Sequence, residues 1–230
     1  MVNGHQINRE IRAYLFDYGG PLDTGGCHWG KVLWYAWQEV GVPVDEERFR
    51  EAYVYAERAM ARECIILNDF TFRQTMEVKL RLELGRVGQL DYLPMLLDIV
   101  YEQTRQHTAH SREVLQQLAE RCPLALVSNF YGNIHTVLRE FGFDGLFQQV
   151  IESAVVGVRK PDPRIFLMGV EALQMCPDEV IVVGDSIAKD IVPAHQVGCQ
   201  TIWLRGEQWD DTIVDETLPD RIIKDLSELL

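Results

Sequence analysis

The apolar positions of this chain fall into two textures. From about Arg12 to Asp23, and again from about Ser111 to the end, short apolar runs alternate with segments of helical spacing. The runs are Ala13–Phe16, Leu124–Val127, Val150–Ser153, Val180–Val183 and Thr201–Leu204, and the helical segments among them are Asn133–Phe141, Pro163–Leu173 and Ile187–Val197. Strand and helix in turn predict βαβ units, a parallel sheet and an α/β fold.

From about Thr24 to Arg105 no strand is evident and several helices are. Trp29, Leu33, Ala36, Trp37 and Val40 recur at helical spacing and stop at Gly41, a natural C-terminal cap. Asp45 caps a second helix that runs through Phe49, Ala52, Tyr53 and Ala56 to about Arg62. Thr71 with Gln74 three residues on is a capping-box pattern, opening a third helix toward Leu84 that ends at Gly85. A fourth includes Met95–Tyr101, with Pro94 in its first turn.

Composition mainly excludes. With 230 residues and 47% apolar content the chain makes one large or two modest folded domains. A net charge of −13 and the lack of a basic run argue against nucleic acid, although a small anion can still bind locally. No stretch reaches the roughly 18 apolar residues of a membrane span, and Met1-Val2-Asn3-Gly4-His5-Gln6 lacks the apolar centre of a signal peptide. Cys27, Cys64, Cys122, Cys176 and Cys199 form no C-x-x-C, so neither a disulfide framework nor a zinc site is indicated. The expectation is a soluble, unprocessed protein of the reducing cytoplasm, with no nucleic-acid and no membrane partner.

Chemically capable residues gather where the apolar runs end: Asp17; Ser128-Asn129; and Gly184-Asp185-Ser186 with Asp190. Lys160-Pro161 adds a cation. The carboxyl ends of parallel strands are where open α/β sheets bind ligands. A carboxylate nucleophile attacking phosphorus needs cations to shield it from the phosphate's charge. Asp185 and Asp190, with Asp17 opposite, make an oxygen-rich pocket suited to Mg2+. The Ser128 hydroxyl and Asn129 amide can hydrogen-bond a phosphoryl oxygen, and Lys160 can neutralise Asp17 and phosphate together. Taken singly each has a plainer reading: Asp17 as a turn residue, Asp185 or Ser186 as a helix cap, Lys160 as a surface lysine.

In order and spacing these stations resemble the haloacid dehalogenase-like hydrolase superfamily, and the likeness extends over nearly the whole chain. It implies a Rossmann-like core, residues 1–23 and 106–230, with an all-helical cap inserted over 24–105. It also implies a Mg2+-dependent hydrolase of a small phosphorylated metabolite, with Asp17 as nucleophile. Ser128, Asn129 and Lys160 would then lie on the phosphoryl group, and Asp190 would be a supporting carboxylate. The metal ligands would be Asp17, Asp185 and the main-chain carbonyl of Gly19. Gly19 stands where phosphatases of the superfamily carry a second aspartate, the general acid and base, whose help is worth ~10²–10⁴ in rate. Its loss predicts slow turnover of ordinary alkyl esters and less harm to acyl or aryl phosphates. Glu63 and Asp69 are candidates for a rescuing carboxylate, and Pro21 replaces the usual threonine.

Other readings fit less well. The superfamily's 2-haloacid dehalogenases also lack the second aspartate, but they carry neutral side chains where this chain has Asp185, and gathered carboxylates repel a carboxylate substrate. Phosphonoacetaldehyde hydrolases need a cap lysine, and neither Lys31 nor Lys79 matches its position. Gly25-Gly26-Cys27-His28-Trp29-Gly30-Lys31 has P-loop spacing, but Val32 replaces the Ser or Thr and no strand immediately precedes it. A non-catalytic binder of a phosphorylated ligand or partner is the remaining alternative. The histidines, His107 and His110 included, show no metal-ligand pattern. Trp29, Trp34 and Trp37 read as helix core, and Arg58, Arg62 and Arg73 as solvated residues of which one facing inward could read an anionic tail.

Overall fold

The apolar runs are strands β1 (Ala13–Phe16), β2 (Leu124–Ser128), β3 (Phe147–Glu152), β4 (Val180–Gly184) and β5 (Gln200–Leu204), joined by a short β6 (Arg221–Ile223) too brief to carry a pattern. A computed structural model describes residues 11–63, 65–209 and 215–230. The expectations placed on the first residues, on His5 and on Cys64 lie outside them. The strands form one parallel six-stranded sheet in the order β3-β2-β1-β4-β5-β6. Alternate side chains enter two cores. Leu15, Ala125, Val127, Val180 and Val182 pack with Ile165, Phe166 and Val170, whereas Phe16, Leu124, Leu126, Ile181 and Val183 join the helices on the other face. Burial on both faces is why these strands read as unbroken apolar runs.

Between β1 and β2 lie α1 (Trp29–Val40), α2 (Glu46–Arg62), α3 (Phe72–Val87) and α4 (Leu93–Ala119). Asp45 and Thr71 accept the expected N-terminal amides, and Gly41 closes α1 in the left-handed region at φ 78°. Two bounds differ from expectation. α3 passes through Gly85, because the reversal falls at Gly88 (φ 73°), where the amides of Gly88 and Gln89 close on the carbonyls of the last turn. α4 continues far beyond Tyr101, and position 105 lies inside it. Its inward face there carries Thr104, Thr108 and Ser111, all buried, so the stripe that packs is polar in composition. The Ser111 hydroxyl donates to the Leu22 carbonyl at 2.9 Å, tying the helix to the loop after β1.

After β2 come α5 (Ile134–Glu140), the single turn α6 (Ser153–Val156), α7 (Arg164–Ala172) and α8 (Val192–Gln196). The segment expected to be helical over Ile187–Val197 is helical from Ile187 to Gln196, but its first turn is wide: Ile187–Ile191 is a π turn, and α8 follows directly with Pro193 in its first turn. No helix among the described residues is long and apolar enough to cross a membrane.

Two features of the helical layer lead to predictions. Phe49 is fully buried, with ring centroids of Trp34 and Trp37 at 5.2 and 5.1 Å and those of Tyr53 and Trp209 at 6.2 and 6.3 Å. Phe49→Ala is expected to lose about 3–5 kcal/mol of stability, read as a lower denaturant midpoint; a loss under about 1 kcal/mol would show that the cluster does not depend on it. Glu83 is fully buried beside Lys79 (3.9 Å), and neither of its carboxylate oxygens has a hydrogen-bond partner among the described residues. Burial, partly offset by Lys79, pushes its carboxyl up to about 7. The native protein therefore keeps a proton that the unfolded chain releases near the ordinary 4.5, and this stabilisation, full below that value, is lost as pH rises through about 7. The fall in thermal midpoint between those pH values should be shallower in Glu83→Gln than in the native protein. Equal slopes would contradict the assignment.

Candidate active site

Chain order and sheet order part company at β1. The chain passes from β1 to β2 and β3 on one side, then crosses to β4 and β5 on the other, leaving a crevice beyond the carboxyl ends of β2, β1 and β4. Asp17 follows β1, Ser128 ends β2 and Asp185 follows β4, so register alone brings these residues side by side. The Asp17 amide donates to the Val183 carbonyl at 3.0 Å, which fixes the nearer pair.

The side chains then form one connected group. Lys160 Nζ lies 2.6 Å from Asp17 Oδ2 and 2.7 Å from Asp190 Oδ1, with almost none of its side chain exposed. Asp17 Oδ1 accepts from the Ser128 hydroxyl at 3.1 Å and from the Tyr18 amide at 2.7 Å. Asp190 Oδ2 accepts from the Ser186 amide at 3.1 Å, an approach that the π turn makes possible. Asn129 is brought to the group differently: its amide clamps the main chain of Lys160, donating to the carbonyl at 3.0 Å and accepting from the amide at 2.9 Å. Two glycines make room. A Cβ on Gly20, whose φ is +107°, would lie 2.3 Å from Asp185 Cγ, and one on Gly184 would lie 2.3 Å from the Asp190 Cβ. Neither position tolerates a side chain without moving a carboxylate.

Charge is the dominant property. Asp17, Asp185 and Asp190 each offer an oxygen within 4.8 Å of the others. Burial, and then the charges of Asp190 and Asp17, hold the Asp185 carboxyl well above the usual carboxylate range, with Lys160 a partial offset. Burial likewise raises Asp190, against the pull of Lys160. Burial alone would lower the Lys160 ammonium, but Asp17 and Asp190 together outweigh it and hold it above its ordinary value. The hydrogen bonds that Asp185 receives from Trp203 Nε1 (2.8 Å) and Gln208 Nε2 (3.3 Å) go to its main-chain carbonyl, leaving the carboxylate turned toward the other two aspartates. One lysine among three carboxylates leaves negative charge uncompensated, and the donors are all hard oxygens. The residues present fit a hard divalent cation.

The group forms the floor of a cavity of about 420 Å³, with Asp17, Gly19, Ser128, Asn129, Lys160 and Asp185 on its wall. Asp190 lies behind them, fully buried. The helical layer supplies Trp29, Tyr53 and Phe72, and the loop after β5 supplies Trp209. Neither Glu63 nor Asp69 lines the cavity, and nor do Arg58, Arg62 and Arg73. Arg73 is instead spent on Asp98 at 2.5 Å. The helical cation that does line the cavity is Lys79, ion-paired with Glu57. Trp29 is not simply helix core either, for its indole N–H donates to Asp23 Oδ2 at 3.1 Å. His110 pairs with Asp225 at 3.1 Å, away from the cavity. Lys79, whose inward direction depends on the rotation of α3, and Asp23, an ordinary aspartate in a turn, are among the lining residues without a distinctive sequence signal, as are Glu57, Lys189 and Gln208.

Residues 11–198 match the profile of the haloacid dehalogenase-like hydrolase family. Glyceraldehyde 3-phosphate phosphatase of Pyrococcus furiosus is 34% identical over 88 residues, 38% of this chain and 37% of that relative. The chain covers only 32–43% of the length of the curated relatives it matches. Among solved structures, a dehalogenase with an intermediate complex matches with a TM-score of 0.63 at 21% identity, over 96% of each chain. The magnesium-bound HAD-hydrolase YfnB of Bacillus subtilis matches with 0.56 at 18% identity, over 96% of this chain and 97% of that one. At such identities these two likenesses bear on the fold alone.

Proposed function

This chain belongs to the haloacid dehalogenase-like hydrolase family, and we propose that it is a Mg2+-dependent phosphatase of a small phosphorylated metabolite, working in the cytoplasm through a phosphoryl group carried on Asp17. The observation that carries this reading is the Asp17 carboxylate, one oxygen held by Lys160 at 2.6 Å and the other by Ser128 at 3.1 Å, on the floor of the cavity. A carboxylate balanced by an ammonium can approach an anionic phosphoryl group.

In this reading Asp17 forms the bond to phosphorus, and Lys160 and Ser128 meet the phosphoryl oxygens. Asn129 keeps the main chain of Lys160 in place, and Asp190 orients its ammonium. Mg2+ held by Asp17, Asp185 and the Gly19 carbonyl would draw negative charge from the phosphoryl oxygens. The helices between β1 and β2 act as the cap over the sheet, the passage from cap to core falling within α4 and not at a break at 105, and they put aromatic side chains against the organic part of the substrate. The name of the archaeal relative supports a phosphate ester. The buried Asp185 beside Asp17 speaks against dehalogenation, since it would repel a carboxylate substrate. Gly19 contributes a carbonyl and no side-chain proton donor.

Phosphate release from aryl and sugar phosphates is expected with Mg2+, stopping with chelator and falling about 10⁴-fold or more in Asp17→Asn. Undiminished turnover in that variant, or in chelator, overturns the reading. No turnover by the native protein joined to a gain in Gly19→Asp would instead identify a protein that binds a phosphorylated ligand.

A further inference from the structure

The place that Gly19 leaves open is bounded by an indole. A Cβ at position 19 would stand 3.9 Å from Trp29 Nε1. That N–H donates at 3.1 Å to Oδ2 of Asp23, whose Oδ1 accepts from the Gly20 amide at 2.7 Å. Asp23 is 2% exposed, yet it lines the same cavity as Asp17. One carboxylate oxygen is enough to close the turn between residues 20 and 23, and the second is held on the indole that a side chain at 19 would touch. Glu57, the other carboxylate on the wall besides Asp17 and Asp185, is committed to Lys79.

We propose that Asp23 is the proton donor and acceptor of the reaction, acting from a position six residues after the nucleophile in place of a side chain at position 19. This rests on the phosphatase reading of the site. In the first step an Asp17 oxygen forms a bond to phosphorus and the ester P–O bond breaks. The Asp23 proton passes to the departing alkoxide, which leaves as the alcohol. In the second step Asp23, now a carboxylate, takes a proton from water as the water oxygen bonds to phosphorus. The P–O bond to Asp17 breaks, phosphate leaves and Asp23 is protonated again.

The protonation behaviour of Asp23 agrees with this placement. Burial, the largest influence, and the charge of Asp17 raise its carboxyl against the pull of the Gly20 and Trp29 donors, to about 7.

The test compares kcat/KM with Mg2+ for p-nitrophenyl phosphate, whose leaving group needs no proton, and for glycerol phosphate, whose leaving group does. Asp23→Asn is expected to cost about 10²-fold or more on glycerol phosphate and under about 10-fold on the aryl ester. Adding Gly19→Asp to Asp23→Asn is expected to restore the alkyl ester, since position 19 has room for a side chain. Trp29→Phe, which leaves the bond to Gly20 intact, should give a smaller loss of roughly fivefold in the same ester-selective sense, and it carries the test if Asp23→Asn does not fold. Equal losses on both esters without rescue mean that Asp23 only closes the turn, and no ester-selective change in either variant also overturns the proposal. A native protein without Asp17-dependent turnover of either ester would remove the phosphatase reading and this role with it.

Discussion

The site depends on one buried ammonium. Three aspartates meet at the carboxyl ends of β1 and β4, and such a gathering is costly in a dry interior unless a cation stands among them. Lys160 is that cation, within 2.7 Å of both Asp17 and Asp190. Much of the neighbouring structure serves its placement. Asn129, at the end of β2, clamps its main chain from both sides, and the π turn after Asp185 aims the second oxygen of Asp190 at the Ser186 amide. Glycine at 20 and 184 lets main chain and carboxylate approach within distances that a Cβ would forbid. Electrostatics, backbone geometry and sheet topology therefore constrain the same few residues.

Above this floor the helices are joined to the sheet by side chains from both layers. Trp209, from the loop after β5, packs against Tyr53 of α2 at 4.9 Å and occupies the space over Gly30. Ser111 of α4 holds the Leu22 carbonyl, and Trp29 of α1 holds Asp23. The last two contacts converge on the loop after β1 that carries Asp17 and Gly19. Packing of the helices and the shape of the nucleophile loop are thus one structural problem.

Several parts were legible in advance for definite reasons. The strands buried on both faces appear as plain apolar runs, and caps such as Asp45 and Thr71 announce themselves by local hydrogen-bonding chemistry. Other features leave no local signal in the chain. The middle of α4 buries Thr104, Thr108 and Ser111, so its apolar stripe breaks off after Val100 and resumes only at Val114. The spacing of Ile187–Val197 shows a helix but not that its first five residues form a π turn. The arginines singled out in the helical stretch do not line the cavity, whereas Lys79 does, because helical spacing shows which residues share a face but not which face meets the site.

By itself the sequence determined the alternating elements, their parallel arrangement and the order in which Asp17, Ser128, Lys160 and Asp185 arrive, because these follow from periodicity and from residues at strand ends. Only the tertiary structure decided that the Asn129 amide is spent on the main chain of Lys160, that Asp190 lies behind the wall, and that Asp23 turns a carboxylate oxygen toward the indole beside Gly19. The physical reason is the reach of the interactions concerned. Periodicity, capping and turn chemistry act over a few neighbouring residues. The direction of a buried polar side chain is set by donors and charges that the fold brings from other elements.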